Sequence, residues 1–335
     1  MPVRSRMAYT LNAHLFAALK CLSDTEFRSG TDLAAKLGVS RATLSNSLKD
    51  VEQLGVQVYK VHGRGYRLAA PLDWLDYGQV AQTLGSAAKY FNLDIVDVSA
   101  STNTTLMERA SSGIPSGTVL AAEYQSDGRG RRGRRWFAPL CGGLTFSLLW
   151  RFNQGAAQLS CLSLAVGLAI ARALHNLGVV EAQLKWPNDI LHHYRKLGGI
   201  LIELSGDVLG PTLAVIGVGV NVRIDETTLA KIDQATTDLT TVLTEVPARS
   251  ELLGQFLLHL SQILPQFETE GFAPFRDEWL AHHAYQNRSV RMLLPRNTVE
   301  EGVVTGIADD GSLLIDCHGG TKRYTAGEIS LTAAL

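Results

Sequence analysis

The chain has 335 residues, of which 46 % are hydrophobic and 19 % charged, and its formal net charge is −1. This composition indicates a folded chain of two or three domains. It excludes a disordered chain and one that binds nucleic acid over its whole surface. No signal peptide and no uninterrupted apolar run of membrane-spanning length is recognisable, so we expect a cytoplasmic protein without membrane contact.

The spacing of cysteine and histidine predicts no metal site. The four cysteines are far apart and form no Cys-x-x-Cys pair, which favours free thiols in a reducing compartment. The adjacent pairs His192-His193 and His282-His283 cannot both project from one face of a helix, so they are poor candidates for metal ligands.

The first seventy residues predict a winged helix-turn-helix. Apolar residues at helical spacing predict a helix over 11–22, a short second helix after it, and a third helix over 41–54 capped by Ser40. Residues 56–68 alternate around a His-Gly-Arg-Gly turn as a β-hairpin does. Two helices joined by a tight glycine turn and followed by such a wing are typical of DNA-binding domains.

The distribution of charge along the chain also indicates that this domain is the part that contacts DNA. Residues 1–70 contain ten Lys/Arg and five Asp/Glu, a net of +5, so the rest of the chain has a net charge of −6. Side chains able to bond phosphates or base edges lie on the outer face of the third helix and at the hairpin tip: Arg41, Thr43, Ser45, Asn46, Ser47, Lys49 and Arg64. The alternative is a winged helix that makes protein contacts or a dimer.

From residue 78 to 283 the chain alternates strand-like and helix-like segments, which predicts an α+β domain with a largely antiparallel sheet. Strands are predicted over 93–98, 118–125, 144–151, 184–191, 196–204 and 213–222, and helices over 80–90, 102–110 and 158–177. Pro187 requires strand 184–191 to bend or to lie at an edge. Beyond 287, five short strands with glycine turns predict a small β-barrel.

A loop over 128–136 contains five arginines and three glycines. Such a loop suits closure over an anion, or non-specific contact with nucleic acid, and these nine residues leave both open. Further polar groups stand beside glycines at predicted strand ends: Lys185, Asn188, Lys196 and Asn221. Together they favour nucleotide-dependent activation of a carboxylic acid, and the P-loop spacing is absent.

Three motifs in register resemble those of biotin protein ligases. They are the loop at 128–136, Lys-Trp-Pro-Asn-Asp at 185–189 and Lys-Leu-Gly-Gly-Ile-Leu at 196–201. With the winged helix in front, the whole chain resembles the family of bifunctional biotin protein ligases and biotin operon repressors.

The resemblance implies an α+β multidomain fold. A winged helix-turn-helix over 1–70 would precede a catalytic domain over 71–283, which would have the class II aminoacyl-tRNA synthetase/biotin ligase-like mixed sheet with helices. An SH3-like β-barrel over 284–335 would follow it.

The resemblance also implies the chemistry. Biotin and ATP, with phosphate-bound Mg2+, would give biotinyl-5'-AMP, and a lysine of biotin carboxyl carrier protein would then receive biotin. Lys196 and Arg131 would be catalytic. Biotin would be bound by Ser101, Thr102, Asn103, Gln125, Arg129, Gly130, Arg131, Lys196 and Gly199. ATP and the adenylate would be bound by Arg134, Trp136, Lys185, Asn188 and Asn221.

Regulation follows from the same resemblance. The adenylate would be a corepressor that orders loop 128–136 and promotes a homodimer on the operator DNA of biotin synthesis genes. The alternatives are a ligase whose winged helix does not repress, a DNA-binding regulator without ligase activity, and a lipoate ligase.

Four departures from the family pattern concern the edges of the site. Ala100 replaces an acidic residue, Gly143 an asparagine and His283 an aspartate. The segment 223–239 lacks a tryptophan expected near the adenine.

Overall fold

Three β-sheets organise the residues that the structure, a computed structural model, describes: 13–49, 51–207, 210–294, 298–325 and 327–331. The sheets have two, seven and five strands and follow one another along the chain. The first two residues of the predicted helix 11–22 lie outside the described residues.

The N-terminal unit is a winged helix-turn-helix, as predicted. Its elements are α1 (Ala13–Cys21), α2 (Gly30–Lys36), α3 (Arg41–Ser47), β1 (Val58–Val61) and β2 (Gly65–Leu68). The two strands pair antiparallel from Val58–Leu68 to Val61–Gly65. The predicted third helix is too long, because α3 ends at Ser47 and a 3-10 turn follows. The apolar spacing runs on through that turn, which is why the break is invisible in the sequence.

The central unit is a seven-stranded sheet, antiparallel except for one parallel pair. Its strands are β3 (Asn92–Ser99), β4 (Thr118–Gln125), β5 (Gly143–Phe152), β6 (Ala182–Lys185), β7 (Asp189–His192), β8 (Arg195–Gly206) and β9 (Thr212–Asn221). Their order is β3-β4-β5-β9-β8-β7-β6, and only β3 and β4 are parallel. The predicted strand 184–191 is two strands, β6 and β7, since the chain reverses at the cis Trp186–Pro187 bond.

Helices cover both faces of this sheet. They are α4 (Tyr77–Leu84), α5 (Thr102–Ala110), α6 (Leu162–Asn176), α7 (Glu226–Leu229), α8 (Leu239–Val242), α9 (Arg249–Glu270) and α10 (Arg276–His282). Helices α6 and α9 share the main core with the sheet, and α5 packs on a separate cluster that includes Leu106 and Val215. A stretch over 156–176 has the length and apolarity of a membrane span, but 72 % of its most apolar 18-residue window is buried, because it contains the core helix α6.

The C-terminal unit is a five-stranded antiparallel sheet, which confirms the predicted small β-domain. It consists of β10 (Ser289–Leu293), β11 (Val299–Ile307), β12 (Leu313–Cys317), β13 (Gly320–Tyr324) and β14 (Glu328–Leu331), in the order β13-β12-β11-β10-β14. The buried Trp186 indole of the central unit donates a hydrogen bond to Gly311 O at 2.9 Å. The β-domain therefore packs directly behind the β6–β7 turn.

The winged helix contacts the segment that follows loop 128–136. The amide of Leu140 donates to Leu54 O at 2.8 Å, and Leu140 and Cys141 belong to the hydrophobic core of the N-terminal unit. A buried ion pair, Arg249 to Glu123 at 2.6 Å, fixes the connecting chain, because Arg249 Nη1 also donates to Asp73 O at 2.7 Å. The winged helix is thus joined to the sheet beside the arginine-rich loop.

Candidate active site

A cavity of about 420 Å³ opens on the α5 side of the central sheet. All but one of the residues that the resemblance assigned to biotin and ATP line it: Ser101, Thr102, Asn103, Gln125, Arg129, Gly130, Arg131, Arg134, Trp136, Lys185, Asn188, Lys196 and Gly199. They come from β4, β8, the start of α5, loop 128–136 and the β6–β7 turn, so folding alone brings these distant motifs together.

The start of α5 forms the polar end of the cavity. Ser101 caps the helix by accepting from Thr104 N. Gln125 Oε1 at the end of β4 accepts from Thr102 N at 2.7 Å and from Thr102 Oγ1 at 3.1 Å. Beneath them, Ser147 Oγ lies 2.7 Å from Thr102 Oγ1. Sequence reasoning missed Ser147, because an isolated serine within an apolar strand carries no motif.

Asn103 is the most constrained residue of this end. It is 3 % exposed, its Nδ2 donates to Leu201 O and to Glu203 Oε2 at 3.0 Å each, and its Oδ1 accepts from Ser147 Oγ at 2.6 Å. A Cβ atom on Gly217 would lie 2.1 Å from Asn103 Oδ1. Only glycine at 217 therefore leaves room for this network.

Loop 128–136 lies over the cavity and is held by hydrogen bonds and ion pairs. Arg129 forms an ion pair with Glu203 at 2.9 Å and donates to Thr104 Oγ1 at 3.1 Å. Arg131 Nη1 donates to Asn188 Oδ1 at 3.0 Å. The loop closes on itself through the Trp136 amide, which donates to Gly128 O at 2.8 Å. Two of its guanidinium groups thus face the cavity from one side.

Trp136 packs flat against β9. A Cβ atom on Gly219 would lie 2.6 Å from Trp136 Cε2, so the missing side chain makes the ring position possible. The indole Nε1 is buried and finds no acceptor among the described residues. A buried indole N–H without a partner is costly, which makes it a donor suited to a ligand.

Lys196 and Asp189 form an ion pair at 2.8 Å, and each side chain is 17 % exposed. Gly199 gives the lysine room, because a Cβ atom there would stand 3.3 Å from Lys196 Cε. Lys185 Nζ lies 5.8 Å from the ring centroid of Tyr285. Burial raises the pKa of Tyr285, so the phenol stays neutral and its ring faces the cation at neutral pH.

Asn221 is the predicted residue that the structure does not bring to the cavity. It is 3 % exposed, and its Nδ2 donates to Thr237 O at 3.0 Å. The amide ties the end of β9 to the loop before α8, so its role here is to hold the loop. That loop contributes Asp233 and Gln234 to the lining, although neither residue belongs to a recognisable motif.

Three of the four departures from the family pattern, Ala100, Gly143 and His283, lie outside the lining, whereas the segment 223–239 contributes Asp233 and Gln234 to it. A Cβ atom on Gly143 would stand 2.6 Å from the Ala138 side chain, so glycine is needed by the packing. His283 is 5 % exposed, its ring lies 4.7 Å from that of Trp279, and burial lowers its pKa from 6.5 to about 4. It is a neutral core residue.

The predicted DNA-binding residues divide into three groups by exposure. Arg41, Asn46, Lys49 and Arg64 are exposed. Thr43 and Ser45 are half-buried, and Ser45 Oγ accepts from Lys60 Nζ at 3.2 Å, which links α3 to the wing. Ser47 was wrongly predicted to be on the outer face: it is buried and donates to Thr43 O at 3.0 Å.

Comparisons with known proteins agree with this arrangement. Three family profiles match in order: HTH domain over 14–67, Biotin/lipoate A/B protein ligase family over 95–221, and Biotin protein ligase C terminal domain over 286–332. The bifunctional ligase/repressor BirA of Escherichia coli (strain K12) is 36 % identical over 315 residues, which cover 93 % of this chain and 95 % of that protein. The chain belongs to the family of bifunctional ligase/repressors.

Further relatives support the assignment of this ligase/repressor to that family. BirA of Salmonella typhimurium is 35 % identical over 94 % of this chain and 97 % of its own length. Among solved structures, the biotin protein ligase from Aquifex aeolicus in complex with biotin and ATP superposes with a TM-score of 0.61. It is 30 % identical and covers 72 % of this chain and 99 % of that one. The predicted fold class and family are confirmed, and the boundaries at 70 and 283 stay a prediction.

Proposed function

We propose that this ligase/repressor joins biotin to ATP in the cavity and then passes biotin to a lysine of biotin carboxyl carrier protein. In the first step a biotin carboxylate oxygen bonds to the α-phosphorus, the bond to the β-phosphate bridge breaks, and pyrophosphate leaves. In the second step the carrier amine attacks the acyl carbon and AMP leaves. The observation that carries the proposal is the convergence of two loop arginines and Lys196 on one cavity.

The polar end around α5 fits the ring of biotin. Thr102, Asn103 and Gln125 are neutral and offer donors and acceptors, as an uncharged ureido group requires. Their mutual hydrogen bonds fix the side chains before the ligand arrives, which lowers the entropy cost of binding. Ser101 and Gly199 complete this wall.

The reacting carboxylate and α-phosphate would meet between loop 128–136 and Lys196. Two anions repel each other in water, so fixed cations that bring them together supply much of the catalysis. Arg129 and Arg131, with Gly130 between them, would cover the junction from the loop, and Lys196 would contact the carboxylate and the forming anhydride. When the ligands bind, their anionic groups would replace Glu203 beside Arg129 and Asp189 beside Lys196, so that each cation keeps an anionic partner throughout.

The nucleotide would lie on the opposite side, where Lys185, Asn188 and Arg134 line the cavity and Trp136 offers its ring and its unpaired Nε1. The carboxylates in the described lining are Asp189 and Asp233, and Asp189 is paired with Lys196. This set fits an Mg2+ ion held chiefly by the phosphates, with these carboxylates reaching it through water. The ion would neutralise negative charge on the phosphates.

We also propose that biotinyl-5'-AMP is a corepressor that promotes a homodimer on operator DNA. Loop 128–136 runs directly into Leu140 and Cys141, which lie in the core of the winged helix. A change in loop position would therefore reach the winged helix through three residues of chain, 137–139. This continuity supports the repressor over a ligase whose winged helix is inert.

Mass spectrometry tests the ligase function. The purified chain with ATP, Mg2+ and biotin is expected to form biotinyl-5'-AMP, and Lys196→Ala is expected to lose most of that product. No adenylate, or an adenylate formed from lipoate instead of biotin, rejects the ligase assignment.

A gel shift tests the regulation. DNA from upstream of biotin synthesis genes is expected to be bound more tightly when biotin and ATP are both present. Equal binding with and without the ligands contradicts the corepressor role and leaves the ligase assignment standing.

A further inference from the structure

The turn between β7 and β8 has an unusual backbone. His193 and Tyr194 both have positive φ, 47° and 62°, which is the geometry of a two-residue type I′ hairpin turn. Such turns favour Asn-Gly, since larger residues are strained there. Neither residue lines the cavity. A strained turn built from these residues, away from the proposed chemistry, indicates a separate role.

The turn brings three potential metal ligands together. Glu181 directly precedes β6, whose first residue pairs with His192, so the carboxylate reaches the turn. Glu181 Oε2 lies 2.7 Å from His193 Nε2 and 3.9 Å from His192 Nε2. One donor atom from each of the three residues lies within 4.8 Å of the others.

We propose that Glu181, His192 and His193 bind one divalent transition-metal ion, with Zn2+ as the representative. Two imidazoles and a carboxylate are ligands that zinc prefers, whereas Mg2+ and Ca2+ prefer oxygen ligands alone. Ligand atoms around a tetrahedral zinc ion stand about 3.4 Å apart. The separations of 2.7 and 3.9 Å need adjustments of less than an ångström to reach it.

Exposure makes this adjustment easy. The side chains of Glu181 and His193 are 61 % and 67 % exposed, so they can shift, and a water can complete the coordination. His192 is held more firmly, at 17 % exposure, and provides the fixed ligand. The expectation of no metal site assumed helical geometry for this histidine pair. The left-handed turn places both rings on one side, with centroids 4.3 Å apart.

The ion would connect the turn to the edge of the sheet. Glu181 leads into β6, which ends at Lys185, and Tyr194 stacks on Tyr285 with ring centroids 5.8 Å apart. The same Tyr285 ring faces Lys185 Nζ. Metal binding would therefore stiffen the edge that carries Lys185 without entering the cavity.

Titration of the full-length, chelator-treated protein with Zn2+ alone tests the site. One equivalent is expected to bind, and Glu181→Gln and His193→Ala are each expected to weaken its affinity by at least about tenfold. His318→Ala, which removes an exposed histidine in the turn between β12 and β13, is the matched control and should change nothing. All three replaced residues are exposed, so folding should be retained.

A second measurement separates this site from the cysteines. Co2+ in place of Zn2+ should give visible d–d bands without thiolate charge transfer, and Zn2+ should raise the Tm of the wild type but not that of His193→Ala. Three outcomes overturn the proposal: equal binding in wild type and His193→Ala, a thiolate band, or no stoichiometric binding. Each would leave only the 2.7 Å contact between His193 Nε2 and Glu181 Oε2.

Discussion

Gly217→Ala is the sharpest structural test of the biotin end of the cavity. The added Cβ would lie 2.1 Å from Asn103 Oδ1, about 1 Å closer than a normal contact. The buried Asn103 must move, and its hydrogen bonds to Ser147, Leu201 O and Glu203 must break or lengthen. Three bonds at about 0.5–1.5 kcal/mol each give a loss of about 1.5–4.5 kcal/mol. We therefore expect biotin binding to weaken by about 10- to 1000-fold.

Isothermal titration with biotin measures this loss, and thermal unfolding shows whether the variant is folded at the assay temperature. Gly78→Ala, an exposed position in α4, is the matched control and should bind biotin as the wild type does. A folded Gly217→Ala variant with a Kd within twofold of wild type would refute the argument, because Asn103 would then be free to move without consequence.

Three other changes probe separate parts of the molecule. Lys196→Gln should slow pyrophosphate release by about 100- to 1000-fold with an unchanged Tm. The neighbouring Arg195→Gln is the control and should keep most of the activity. Equal rates in Lys196→Gln and the wild type would show that Lys196 takes no part in the chemistry. Arg64→Ala should weaken DNA binding and lower the salt slope by about 1 in fluorescence anisotropy, with adenylate formation unchanged; an unaltered slope would separate the wing from DNA. Burial lowers the pKa of His283 to about 4 in the folded protein, whereas its pKa in the unfolded chain is near 6.5. The free energy of unfolding should therefore fall by about 3 kcal/mol as the pH drops from 6.5 to below 4. In urea unfolding, His283→Gln should make the free energy of unfolding less dependent on pH over this range. The same pH dependence in the variant and the wild type would contradict the role of His283.

The sequence predicts the fold well where local rules and tertiary packing agree. The strand over Thr118–Gln125 and the helix over Thr102–Ala110 have the predicted bounds. The pattern fails where periodicity continues through a change of backbone. The 3-10 turn at Val51–Leu54 keeps the apolar spacing of a helix, and the strand-like run 184–191 contains the reversal at Pro187.

Most of the cavity follows from its motifs, because charged and glycine-rich segments rarely serve a hydrophobic core. Residues that act through contacts distant in sequence are invisible to such reasoning. Ser147 contacts α5 from a strand interior, and Glu203 pairs with Arg129 across 74 positions. Asn221 stands beside glycines at a strand end, as a ligand residue would, yet its amide donates to Thr237 O.

The roles of two glycines in β9 also cannot be predicted from the sequence. Gly217 and Gly219 stand two residues apart in β9. Their function depends on what stands opposite: the Asn103 amide in one case and the Trp136 ring in the other. Only three-dimensional structure reveals those partners, since neither lies near β9 in the sequence.

Transfer of biotin to a carrier domain tests the central claim most directly. The purified chain, incubated with ATP, Mg2+, biotin and a biotin carboxyl carrier domain, should increase the mass of that domain by one biotinyl group on a single lysine. Lys196→Gln should fail to do so, and lipoate should not replace biotin. An unmodified carrier, or modification that persists in Lys196→Gln at the wild-type rate, would contradict the account of this cavity.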